Sequence, residues 1–215
     1  MALRFEPDLS HAAWIAGSDI DWVQLCCFGP DGFESTVRLF HGDRDGLPDD
    51  DLESCEGDLS EPQLRALVEV LVRHTGTPGD CFFALWDGFG DLYGSPSSWT
   101  LSSSGGGAAA PPAFSPEVLD GPRLRIPARD YLLFRGALVD AGDWGAAEMW
   151  PGVPHRINSP NLMWPADRAW FVATEIDQPW TAVSGSAALI GDVVASGLDV
   201  EPVVPSPRPP YERST

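Results

Sequence analysis

The chain has 215 residues, of which 43% are hydrophobic and 21% charged, enough apolar material for a core and well away from the composition of a disordered chain. Its 32 acidic residues face 13 arginines and no lysine, a formal net charge of -19. That balance disfavours nucleic acid and anionic membranes as partners, because both bind basic residues that displace counterions, and it favours solubility or a basic protein partner.

No run approaches the roughly 20 apolar residues of a membrane span. Glu6 and Asp8 stand where a secretory leader carries basic and apolar residues, so the chain is expected to be cytoplasmic. Cys26, Cys27, Cys55 and Cys81 show no Cys-x-x-Cys spacing and no disulfide framework; buried, reduced thiols are expected.

In chain order, 21–28 (DWVQLCCF) and 32–41 (GFESTVRLFH) read as two strands, with Gly29-Pro30-Asp31-Gly32 as the turn of a hairpin. Residues 43–58 form an acidic, Gly- and Pro-containing loop. Ser60-Glu61-Pro62-Gln63 carries a capping box and an early proline, which predicts a helix to about His74 with Leu64, Leu67, Val68 and Leu71 on its buried side. The apolar run 81–86 (CFFALW) reads as a central strand buried on both faces.

A stretch of Ser, Gly, Ala and Pro at about 95–120 reads as a flexible insertion. Strands are expected at 123–126, 130–139 and 168–177. Ser184-Gly185-Ser186 then caps a second helix, with Leu189, Ile190, Val193 and Val194 inward and Gly197 as its stop. The whole is expected to be a single α+β domain over 1–203, an antiparallel or mixed sheet with two helices packed on one face, followed by a loose Pro-rich tail at 204–215.

The chemistry-bearing motifs are weak. Gly88-Phe89-Gly90-Asp91-Leu92-Tyr93-Gly94 has the wrong spacing for a phosphate loop and no helix after it. Asp43, Asp45, Asp49, Asp50, Asp51 and Glu53 supply oxygen ligands, but Pro48 stands where a calcium loop needs glycine. His11, His41, His74 and His155 are scattered without zinc spacing. Neither a cofactor nor a metal is therefore expected.

With a period of two over 168–177, Trp170, Val172, Thr174 and Ile176 share one face and Phe171, Ala173, Glu175 and Asp177 the other. Glu175 and Asp177 then lie within about 7 Å, set by strand geometry. They are either an acid–base pair or members of a network with Arg168, Arg156 or Arg135. If the chain is an enzyme, Glu175, Asp177, Asp87 and His155 are its candidate catalytic residues. Nine tryptophans is a high count, and the loop before the strand from Arg168 is the candidate binding rim, with Trp144, Trp150, Trp164, Arg168 and Trp180 as its contacts.

Gly32-Phe33 leading to Arg38-Leu39-Phe40-His41, the helix end Arg73-His74-Thr75, Trp86-Asp87-Gly88-Phe89-Gly90, Tyr131-Leu132-Leu133-Phe134 and above all Ser159-Pro160-Asn161-Leu162-Met163-Trp164-Pro165-Ala166-Asp167-Arg168-Ala169-Trp170 with Ala173-Thr174-Glu175-Ile176-Asp177 resemble a family of uncharacterised actinobacterial proteins. The resemblance spans nearly the whole chain and carries no activity over to it. Val183-Ser184-Gly185-Ser186 departs from it where two consecutive glycines are expected.

The leading functional expectation is a non-enzymatic interaction protein, of the immunity or inhibitor type, acting on a basic protein. The rivals are a hydrolase or lyase centred on Glu175 and Asp177, and a structural subunit of a larger assembly.

Overall fold

The computed structural model describes residues 1–42, 57–94 and 110–210. Most of the acidic loop 43–58, Cys55 and the Ser/Gly/Ala stretch 95–109 lie outside them, as do residues 211–215 of the tail. In chain order the elements are β1 (Arg4–Phe5), α1 (Ala13–Ala16), α2 (Trp22–Phe28), β2 (Ser35–Phe40), α3 (Glu61–Leu71), β3 (Cys81–Trp86) and α4 (Pro116–Leu119). There follow β4 (Leu124–Ile126), β5 (Arg129–Gly136), β6 (Glu148–Trp150), β7 (Val153–Pro154), β8 (Leu162–Pro165), β9 (Phe171–Thr174), β10 (Trp180–Gly185), α5 (Ala187–Ala195) and β11 (Val200–Pro202).

Nine strands form one sheet in the order β1-β5-β3-β8-β9-β10-β2-β11, with β4 also on β5, and β6 and β7 pair separately. Every pairing is antiparallel. The protein is therefore α+β with a large antiparallel sheet. Among the described residues no helix is long and apolar enough to cross a membrane.

Alternation sorts the strand side chains between the two faces of the sheet. Val37, Leu39, Phe83, Leu85, Leu132, Phe134, Val172 and Val183 share a core with Leu67 and Leu71 of α3 and Leu189 and Val193 of α5. Phe82, Ala84, Leu133, Phe171 and Ala173 share another with Ala12, Ile15, Leu25 and Cys26. The short helices α1 and α2 thus pack on strand residues that alternate with those of the first core.

The capping box predicted at Ser60 is present: Gln63 N donates to Ser60 Oγ and Ser60 N to Gln63 Oε1. At α5, Ser186 Oγ accepts from Leu189 N, while Ser184 Oγ pairs with buried Thr36 Oγ1 at 2.9 Å. Both serines of the Ser184-Gly185-Ser186 step thus have structural partners. Ala187 N donates to Glu34 Oε2, so a carboxylate of the chain itself sits at this helix start.

Four expectations are corrected. Residues 21–28 are not a strand: Asp21 Oδ1 accepts from Val23 N as an N-cap, α2 follows, and Gly29 closes it at φ 81°, so no hairpin forms. The strand expected over 168–177 is shortened to Phe171–Thr174, because Arg168 adopts φ 55° after a turn at Pro165 and Gln178 N closes another turn on Glu175 O. Residues 110–120, read as flexible, bury Ala113 and Phe114 and form α4. The tail, read as loose, is tied down as far as Pro210, whose carbonyl accepts from Arg38 Nη1 and Trp180 Nε1.

Candidate binding edge

One end of the sheet gathers the chemistry-bearing side chains. Trp86 closes β3, Arg129 opens β5, Trp22 opens α2, and Glu175 and Asp177 lie in the turn between β9 and β10. Their meeting point is held by Asn161, a buried residue just ahead of β8. Its Oδ1 accepts from Trp86 N at 2.8 Å and its Nδ2 donates to Thr174 O at 3.1 Å, while its own backbone bonds Ala84 O and Thr174 N. A single amide therefore fixes the end of β3 against the end of β9.

Arg129 is the hub. Nε donates to Glu175 Oε1 at 3.1 Å, Nη2 donates to the same oxygen, and Nη2 reaches Asp177 Oδ2 at 3.1 Å. The guanidinium also lies 6.0 Å from the Trp22 ring and 5.8 Å from the Trp86 ring, within cation–π range. The two carboxylates differ: the Glu175 side chain is 7% exposed and that of Asp177 is 75% exposed.

Burial raises the pKa of Glu175 above its ordinary value; Arg129 pulls it back without cancelling the rise, and Asp177 adds to it. On Arg129, burial is the largest single influence and opposes the charge, but the hydrogen bond and the charge of Glu175, with smaller contributions from Cys26 and Tyr131, together outweigh it and raise the pKa.

A second ion pair continues the edge. Asp87 N donates to Asp130 O, Arg123 Nε lies 3.0 Å from Asp87 Oδ2, and Tyr93 Oη donates to Asp87 Oδ1. Burial, followed by the bond to Asp87, raises the Tyr93 pKa. Phe89 packs edge-on against Trp86 at 5.1 Å. Gly88 has no alternative here, because a Cβ would enter the Trp86 ring. The outcome is a rim with Trp22 and Tyr93 exposed beside Asp130 and Asp177.

The thiols nearby are unsuited to nucleophilic work. Burial pushes Cys26 up to about 12, with Glu175 adding to the shift, and Tyr131 Oη lies 4.0 Å from its sulfur. Burial likewise raises Cys27, and Cys81 to about 12. Among the described residues no group of three or more His, Cys, Asp and Glu side chains is arranged to hold a metal ion.

The residues singled out from the sequence divide sharply. Glu175, Asp177 and Asp87 do lie along one edge, but the arginines that hold them are Arg129 and Arg123, not Arg168, Arg156 or Arg135. His155 is buried, with neither ring nitrogen hydrogen-bonded among the described residues, and no hydrogen bond or ion pair links it to this edge.

The tryptophan rim is corrected. Trp144 is buried against Phe134 with Nε1 on Asn158 O, Trp164 is stacked between Phe82 and Phe171, and Trp180 is stacked on Phe28. Large apolar rings at alternating positions go to the core first. Trp150 is half-buried in β6, and Arg168 is exposed over the Trp14 ring at 4.8 Å.

Sequence reasoning missed Trp22, Arg129, Arg123 and Asn161. Only Asn161 carries a local signal, as a lone amide leading into the apolar run 162–165. Comparison with family models, with curated proteins and with solved structures finds no match to this chain.

Proposed function

We propose that the chain is a non-enzymatic interaction protein whose acidic, aromatic-bearing edge docks a basic protein partner, in the manner of an immunity-type inhibitor. We also read α3 and α5 as one helical layer on a single face of the sheet, the Ser/Gly/Ala-rich stretch as an insertion, and the whole as one domain.

The observation that carries the docking reading is how the charge is disposed along the edge. Arg123 and Arg129 are held in internal pairs, Asp130 is paired with exposed Arg125, and Asp177, though bonded to Arg129, keeps most of its side chain open to solvent beside a half-open indole, Trp22. Carboxylates steer a basic partner electrostatically, and a rigid aromatic anchor supplies contact area at small entropic cost.

The test is capture from a lysate of the source organism on immobilised protein, beside Trp22→Ala and Asp177→Asn and a remote charge control, Asp192→Asn. A basic protein retained at low salt, released as salt rises and lost selectively with the two edge variants is the expected result. Retention that ignores those variants would sink the assignment of the edge.

A carboxylate-centred hydrolase or lyase is the second reading, and the raised pKa of Glu175 beside ionisable Asp177 favours it. Turnover of any ester, amide or glycoside substrate that Glu175→Gln abolishes would put it first.

A further inference from the structure

A second group of side chains lies apart from the paired carboxylates of the edge. β2 brings Arg38 and Phe40, and β10 brings Trp180, to the face that α2 covers with Cys27 and Phe28. Arg38 is fully buried, its guanidinium 5.1 Å from the Phe40 ring and 5.7 Å from the Trp180 ring, and Trp180 stacks on Phe28 at 5.3 Å.

Residues 203–210 (VVPSPRPP) lie across these groups. Val203 N donates to Thr36 O at 3.1 Å and its side chain packs on the aromatic cluster. Pro205 borders a crevice of about 40 Å³ between Phe28, Phe33 and Ser184. At the far end two buried donors, Arg38 Nη1 at 2.8 Å and Trp180 Nε1 at 3.0 Å, converge on Pro210 O.

This is the physics of proline-rich peptide recognition: aromatic faces receive the segment, and an indole N–H takes a backbone carbonyl. Prolines suit it because they carry no N–H to satisfy and are stiff before they bind. Between its two anchored ends, Val203 and Pro210, the segment is lightly held. None of residues 203–210 is buried, and Ser206 spends its bonds within the segment, on Arg208. Few buried contacts mark a part of the structure that opens locally.

The geometry points to a groove that binds proline-rich segments of another protein, with residues 203–210 as its tethered, exchangeable occupant. The contacts at Pro210 are made to main chain, so a foreign segment satisfies the same two donors.

The experiment keeps the full chain and weakens the occupant with Pro205→Gly, Pro207→Gly and Pro209→Gly, which leave the Pro210 carbonyl in place. The amidated peptide of residues 203–210 is then titrated by calorimetry. Peptide binding at least about tenfold tighter than to the natural chain is expected, since the loosened tether competes less well from its high effective concentration. Adding Trp180→Phe, which keeps the ring and removes the N–H, lowers the affinity about fivefold.

A folded triple variant that ignores the peptide, or that binds an all-alanine version of it equally well, overturns the proposal. Dimerisation of the natural chain abolished by the three glycines would assign the groove to a second copy's tail and overturn it too. Should the triple variant fail to fold, hydrogen exchange at Val203 N in the natural chain decides. Excess peptide quickens it about tenfold if the tail is displaced, and unchanged exchange refutes the exchange.

Discussion

At Glu175 two forces of opposite sign act on one proton: loss of water disfavours the charged form, Arg129 favours it, and burial prevails. The folded chain therefore holds that proton more tightly than the unfolded chain does. The resulting stability is fully present below the ordinary carboxyl value of 4.5 and is lost as pH rises through the higher folded value. Glu175→Gln removes this dependence, so its stability relative to the parent improves as pH rises from the ordinary value of 4.5 through the higher folded value in urea titrations. A difference that stays constant with pH would count against a buried, reluctant carboxylate. The pairing of Glu175 with Asp177 is legible in the sequence, because two residues along a strand or its continuing turn return to one side. Arg129 is not legible: 46 residues separate it from Glu175, and the strand order that brings β5 and β9 to either side of β3 and β8 has no local signature.

The helix α2 shows how one glycine changes the meaning of its neighbours. Gly29-Pro30-Asp31-Gly32 has the chemistry of a hairpin turn, yet Gly29 serves as a helix terminus, with its N–H on Leu25 O. Leu25, Cys26, Cys27 and Phe28 are all buried, so neither a period of two nor one of 3.6 stands out, and the aromatic and β-branched content tips the reading toward a strand. Gly29→Ala meets two penalties at once, a left-handed φ of 81° and a Cβ driven into the Phe171 ring. A loss of more than about 2 kcal/mol in chemical denaturation is expected, whereas a cost under about 0.5 kcal/mol would mean that Phe171 yields freely. Where several signals agree, the element is plain in advance: the capping box, the early proline and the apolar stripe of α3 all name the same helix, and the apolar run of β3 names an interior strand.

Over the whole molecule, a net charge of -19 sets self-repulsion against a handful of ion pairs, most of them at least partly open to solvent. Exposed pairs contribute little, so repulsion is the larger effect, and screening it stabilises the fold. The denaturation midpoint should rise as NaCl goes from about 10 mM to about 300 mM, a range over which the Debye length falls severalfold. A falling midpoint would show that the arginine pairs outweigh the repulsion. The sheet's borders bear on the same crowded condition. On the outer side of β5, two short segments lie end to end, β4 against Arg129–Tyr131 and β1 against Phe134–Arg135, and the opposite border is three-residue β11, with Glu201 and Pro202. Among the described residues no long, regular row of backbone donors and acceptors is offered on either side of this sheet, which disfavours stacking of one molecule onto the next by strand addition at these margins. Concentrated protein is thereby guarded against fibril growth by the shape of its own margins as well as by its charge.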